Sequence, residues 1–387
     1  MGKLDLKEWL RKNWITLAVL LAAVVIFAVW RARVAPEKAA PNTAGDYVEY
    51  DNGRVLEILS DSTESDEASD GAFRGEQMML VEVTTGQYKG EQLQVYNYVG
   101  PLYGIPLKSG DSVTLTVSTF ENGDVQATVY EYDRSTPVLI VVGLFLLVTL
   151  LVGGRTGAKA LLGLVFTVLC VFLLLFPSLM KGAATLPTTF LVCVFVAAVS
   201  FVLLGGVREK TVCALLGTVA GMAFALIFAL ISQRILRIDG MRSADIEPLL
   251  QLRQTGTPIG LRGLLAAGVI LSALGAVMDV AMSLSSALSE VHDADPGMDW
   301  RALFRSGMNI GRDMVGTMTN TLILAFLGSG LVLILYIYTL GLSPHQLMSS
   351  AFLATEVVTA VSSSIGVILS VPFTALISAW AYGSRNA

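Results

Sequence analysis

Eight apolar runs decide what this chain can fold into. They cover residues 14–30, 137–152, 160–179, 186–204, 212–231, 264–285, 316–339 and 362–382. Each is close to the roughly 17–25 residues that carry a helix across a bilayer. A backbone in lipid must satisfy its own hydrogen bonds, so such runs are read as helices. Hydrophobic residues make up 54% of the 387 residues and charged residues 15%, where a soluble domain is about one quarter charged. The expected fold is a polytopic α-helical membrane protein of about eight transmembrane helices.

Lys3, Lys7, Arg11 and Lys12 precede the first run, and Arg31, Arg33 and Lys38 follow it. A cleaved signal peptide would have a shorter apolar core and a small-residue cleavage site. Residues 1–41 are therefore expected to be a cytoplasmic tail, an uncleaved anchor and a linker. In residues 42–135, polar and apolar residues alternate between Gly-containing turns such as TTGQ, KSGD and ENGD. That pattern gives short antiparallel strands. It predicts a small extracellular all-β domain, barrel or sandwich-like. The region carries 17 acids and 5 bases, a solvated surface or a lure for cations. Its stretch SDSTESDEASDG, 60–71, is expected to be a mobile loop.

Residues 136–387 then hold seven helices, with an interfacial segment at 233–262. Eight helices put both termini on one side. Arg155, Lys159, Arg208, Lys210, Arg301, Arg305 and Arg312 fall inside if that side is cytoplasmic. The segment 233–262, with five arginines, does not fit. Arg234, Arg237 and Arg242 alternate there with apolar residues, as on an amphipathic interfacial helix. Cys170, Cys193 and Cys213 all lie in apolar runs, so they read as buried packing residues and offer no disulfide framework. Net charge is −5 and no basic cluster points to nucleic acid. No cofactor is expected.

Asp279 stands out, because a carboxylate inside an apolar run is costly and marks a functional site. Ser283, Ser286 and Glu290 follow at i+4, i+7 and i+11, on the same helical face. Next come Glu290, His292, Asp293 and Asp295, read as solvated loop groups more readily than as a metal site. In LFRSGMNIGRDMVGTMTNTLILAF, 303–326, Arg305, Asn309 and Arg312 share one stripe, and Asp313, Thr317 and Asn320 another, with Thr321 adjacent. Gly311 and Gly316 permit close helix approach.

Asp279 and Asn320 lie roughly 16 and 12 Å from the connecting loop at 1.5 Å per residue. In an antiparallel hairpin, Asp279, Thr317 and Asn320 would meet and could hold a proton or a small cation. Glu356, with Thr359 and Ser363, adds a second protonatable position. Ser362, Ser363, Ser364, Gly366 and Pro372 suggest a broken or re-entrant last helix. Against this, Ser, Thr, Asn and Gly also serve as plain helix–helix contacts.

The segments GAVMDVAMSLSSALSEV and LFRSGMNIGRDMVGTMTNTLILAF resemble the signature of the YibE/F-like bacterial membrane proteins. The layout is similar too: an anchor, a β-rich outer domain ending near EYDR, then many helices. The resemblance implies a bacterial plasma-membrane protein; the cytoplasmic placement of the termini rests on the helix count and the Lys/Arg distribution. It makes Asp279, Ser283, Arg305, Asn309, Gly311, Arg312, Asp313, Thr317, Asn320 and Thr321 signature positions. It carries no established activity.

The leading expectation is a secondary transporter or ion-coupled permease for an unknown solute. Asp279, Ser283, Ser286, Thr317, Asn320, Thr321 and Glu356 would bind, while Glu290, Arg305, Asn309, Arg312 and Asp313 would gate or brace. The alternative is a non-transporting envelope protein whose β domain binds a partner and whose helices anchor and oligomerise. A homo-oligomer or a second membrane subunit fits either. An enzyme is not expected: no Walker A sequence, paired catalytic Asp motif or Ser–His set is present.

Overall fold

A computed structural model describes residues 6–34, 47–120, 124–239, 246–254, 256–341 and 343–383. The chain divides into two compact units, Pro36–Leu151 and Met1–Ala35 with Val152–Ala387. The first helix, α1 (Leu6–Val34), belongs to the second unit.

The first unit contains β1 (Tyr47–Asp61), β2 (Glu64–Asp66), β3 (Ala72–Val83), β4 (Gln92–Val99), β5 (Ser112–Thr119) and β6 (Val125–Tyr132). Period-2 alternation places Met79, Val81 and Val83 of β3 and Val113, Leu115 and Val117 of β5 inside. β1 pairs antiparallel with both β3 and β5. β4 pairs antiparallel with β3 and parallel with β6, and β5 pairs with β6. The ring β1–β5–β6–β4–β3 therefore closes on itself, with β2 appended to β3. The order β5–β1–β3–β4 is a Greek key, so the domain is a five-stranded barrel and not a sandwich.

Under the barrel core lies a buried polar plug. Gln77 Oε1 accepts from Leu107 N at 2.8 Å and from Asn97 Nδ2 at 3.0 Å. Gln77 Nε2 donates to Asp61 Oδ2 at 2.9 Å and to the Leu107 carbonyl at 3.2 Å. The plug ties the crossing between β4 and β5 to the barrel. Hydrogen bonds from the Thr63 hydroxyl and amide, then from Gln77, hold the Asp61 carboxyl below its usual range.

The acidic stretch 60–71, expected to be a mobile loop, is instead structured. β3 runs past the barrel and offers an edge to β2. Asp66 caps the short helical turn Glu67–Ser69 and pairs with Arg74 at 2.6 Å. That pairing removes part of the charge repulsion on which the expectation rested.

The helices after the barrel are α2 (Ser135–Cys170), α3 (Phe176–Met180), α4 (Thr185–Gly205), α5 (Glu209–Leu236), α6 (Glu247–Gln254), α7 (Leu264–Ala294), α8 (Trp300–Ser329), α9 (Leu331–Thr339), α10 (Pro344–Met348) and α11 (Ala351–Gly383). A π turn, Val171–Leu175, joins α2 to α3. Among the described residues, six helical runs are long and apolar enough to cross a membrane. One of them, Ser135–Met180, covers two expected spans. At Gly154 it leaves helical geometry (φ 52°, ψ −130°), a conformation open to glycine. The expected span 316–339 is divided between α8 and α9 by Gly330, and neither piece is among the six.

α11 is continuous, although a broken helix is expected there. Its serines turn their hydroxyls inward: Ser364 donates to the Ala360 carbonyl at 2.8 Å and Ser370 to that of Val367 at 2.7 Å. Such back-bonding satisfies serine without ending the helix.

At one end of the bundle, Trp30 Nε1 of α1 donates to Ser178 Oγ at 3.3 Å, and Lys181 Nζ to the Arg33 carbonyl at 3.0 Å. Also at this end, Arg253 Nη1 donates to the Ile259 carbonyl at 3.2 Å and Thr185 Oγ1 to that of Gly260 at 2.8 Å. Part of the arginine-rich segment is thus braced into the fold, and among its described residues the amphipathic helix is α6. Arg242 lies outside the described residues. At the other end, Ser285 Oγ of α7 donates to the Lys210 carbonyl at 2.8 Å, and His292 stacks on Tyr382 of α11 (centroids 5.5 Å, planes 15° apart).

Candidate polar site on the membrane helices

α7 shows how the sequence sorts its faces. Val277, Val280, Ala281, Leu284 and Leu288 are buried, as an apolar helical stripe should be. The opposite stripe holds Gly268, Gly275, Asp279, Ser283 and Glu290, all exposed, with Ser286 half-buried. Asp279 is the sixteenth of the 31 residues of α7, midway along it.

α8 is sorted the same way. Leu303, Gly307 and Gly311 are buried. A β-carbon on Gly307 would come within 2.9 Å of Leu288 and 3.0 Å of Ala375, and one on Gly311 within 2.2 Å of Val371. Glycines four apart let α8 sit close against α7 and α11. Gly316, expected to do the same, meets nothing within 4 Å. Arg305, Asn309, Arg312, Asp313, Thr317, Asn320 and Thr321 all face outward.

By spacing, the depth match reaches Thr317 but not Asn320, which lies about a turn further along α8. From the Leu288–Gly307 contact, Asp279 lies nine residues along α7 and Gly316 nine along α8. At 1.5 Å per residue both sit about 13 Å further on, and Thr317 is one residue beyond. The expected pairing is not made within one chain. Among the described residues, no hydrogen bond or ion pair engages the side chains of Asp279, Ser283, Asn320, Arg312 or Asp313. Thr317 and Thr321 donate to carbonyls of their own helix, at 3.1 Å to Met314 and 2.9 Å to Thr317. Asp279 lies in one of the six runs apolar enough to cross a membrane, where a charged group costs a few kcal/mol or more, whereas α8 with Arg312 and Asp313 is not one of the six.

Glu356 is half-buried in the first turns of α11, and Thr359 donates to the Thr355 carbonyl at 3.0 Å. Thr355 also lines a cavity of about 250 Å³ with Arg237, Ser349 and Ser350. Glu290 lines another, of about 330 Å³, with Arg208, Lys210, His292, Asp293 and Tyr382. Within it the Tyr382 hydroxyl is buried beside Ser285 and Ser289 without a hydrogen bond of normal geometry. No group of three or more His, Cys, Asp or Glu is placed to hold a metal among the described residues.

Sequence reasoning missed a buried polar seam between α7 and α11. Ser272 and Ser363 share a hydrogen bond of 2.9 Å, and Ser378 donates to Ser285 at 3.4 Å. Thr374 is also fully buried. Ser363, Ser370, Thr374 and Ser378 recur at seven and then four residues, a helical stripe legible in the sequence.

Both outward stripes, the seam and the glycine contacts lie in a stretch that matches a known pattern. Residues 141–384 match the YibE/F-like protein family. The chain belongs to this family. The YibE/F-like match takes in α3 to α11 and most of α2; α1 and the barrel lie outside it. No curated protein and no solved structure matches the chain significantly.

Proposed function

We propose that this protein is an ion-coupled permease of the bacterial plasma membrane. Its termini face the cytoplasm and its barrel the outside. Asp279 carries a proton or small cation, Thr317 lies at matching depth beside the path with Asn320 about a turn beyond it, and Glu356 is a second protonatable group. Arg305 and Arg312 guard the cytoplasmic approach. The observation that carries the reading is a carboxylate midway along an apolar helix, with no partner among the described residues, level with a second polar stripe. Flux of protons or cations into proteoliposomes, under a clamped potential, tests it. Wild-type flux that is lost in folded Asp279→Asn supports the reading; no flux with any ion refutes it.

The barrel favours a second reading, a non-transporting envelope protein. Tyr96 and Tyr98 of β4 stand on its outer face, 39% and 53% exposed, with ring planes 15° apart. Exposed aromatic pairs of this kind are common partner contacts. Here the barrel binds and the helices anchor.

A further inference from the structure

We propose that the outward face of α7 and α8 is covered by a second copy of this chain, so that the polar site is shared between two protomers. The inference does not depend on transport and holds for either reading above.

Three features of the face carry it. First, Asp279 and Ser283 midway along α7 and Arg312, Asp313 and Asn320 midway along α8 are exposed, without partners among the described residues. Lipid against the apolar helix α7 offers no hydrogen bonds, and a polar protein surface does. Second, the face carries both signs of charge on neighbouring positions. Arg312 and Asp313 are adjacent in sequence, so they point about 100° apart and do not pair with each other. A two-fold axis beside α8 sets Arg312 of one copy against Asp313 of the other, twice over, and a self-complementary face is what a symmetric dimer requires. Third, Gly268, Gly275 and Gly316 on these stripes meet nothing within 4 Å of where a β-carbon would stand. These open positions let another helix backbone approach closely.

Cross-linking in native membranes tests the proposal. The three native cysteines are at most 2% exposed, which keeps the thiol background low. Single Ser283→Cys, Thr317→Cys and Thr321→Cys chains, with Leu191→Cys on the apolar outer face of α4 as control, are treated with a short bifunctional thiol reagent. The expected result is a covalent dimer of twice 41.3 kDa from at least one α7 or α8 position and none from the control. Asp313→Arg should lose the cross-link, and the swap Arg312→Asp with Asp313→Arg should restore it. Thermal unfolding of each variant confirms that it is folded. Monomer at all three positions overturns the proposal, and so does a cross-linked product of any other mass, which would assign the face to a different subunit.

Discussion

Gly221 of α5 and Gly366 of α11 meet backbone to backbone. A β-carbon on Gly221 would lie 2.9 Å from the Gly366 carbonyl oxygen, and one on Gly366 would lie 3.1 Å from that of Gly221. Val277 of α7 closes the same point from the third side. Gly221→Val should therefore overpack the three-helix junction and cost about 1–3 kcal/mol. Gly143→Ala, which meets nothing within 4 Å, should change stability by less than about 1 kcal/mol. Thermal unfolding followed by helical circular dichroism separates the two. A silent Gly221→Val would show that the junction has room for the added side chain.

The barrel plug makes a second expectation. Gln77→Leu leaves Asn97 Nδ2 and Leu107 N without the acceptor they share. Each unsatisfied buried group costs roughly 1–3 kcal/mol. The crossing at 100–111 should then open, and limited proteolysis of the intact protein should cut there sooner than in the wild type. Equal cleavage rates would show that the plug is not what holds the crossing.

Acid should loosen the same domain. Hydrogen bonds from Thr63 hold Asp61 low, and those from Ser135 hold Asp133 low. A carboxyl depressed in the folded state adds stability above its unfolded value, and that stability is lost as pH falls through the folded one. Barrel stability should be flat above about pH 5 and should decline below about pH 4. Asp61 is exposed and Asp133 only half-buried, so solvent screening keeps the slope shallow. Asp61→Asn should flatten it further. A decline that begins near neutrality would point to other groups.

The Ser272–Ser363 contact should matter little by itself. Hydrogen bonds between membrane helices average about 0.6 kcal/mol in double-mutant cycles. A cycle through Ser272→Ala and Ser363→Ala should return a coupling of that order. A value well above about 1.7 kcal/mol would give the seam a role beyond packing.

The spacing of residues carried much of this fold and less of the site. Alternation located the strands, and the closed ring needed only the parallel β4–β6 pairing, which no local pattern announces. Asp279 and Thr317 came out level because rise per residue is fixed. Periodicity groups residues on a face but does not say which way that face looks. The cue for α8 was present in Gly307 and Gly311, four apart and flanked by Leu303, the stripe that is buried. Gly316 carried the same residue type on the other face. The acidic segment 60–71 misled because its order comes from Arg74, which only the hairpin brings back to Asp66.

The ring of strands has a corollary for anything that reads this domain. Apart from three-residue β2, every described strand has neighbours on both sides. The margins left for an added strand are short: Tyr47–Asn52 of β1, beyond its pairing with β3, and the ends of β4 and β6 beyond their two paired positions. Outside those margins, recognition goes through side chains and turns. Its selectivity can therefore be rewritten one residue at a time without disturbing the hydrogen-bonded frame beneath.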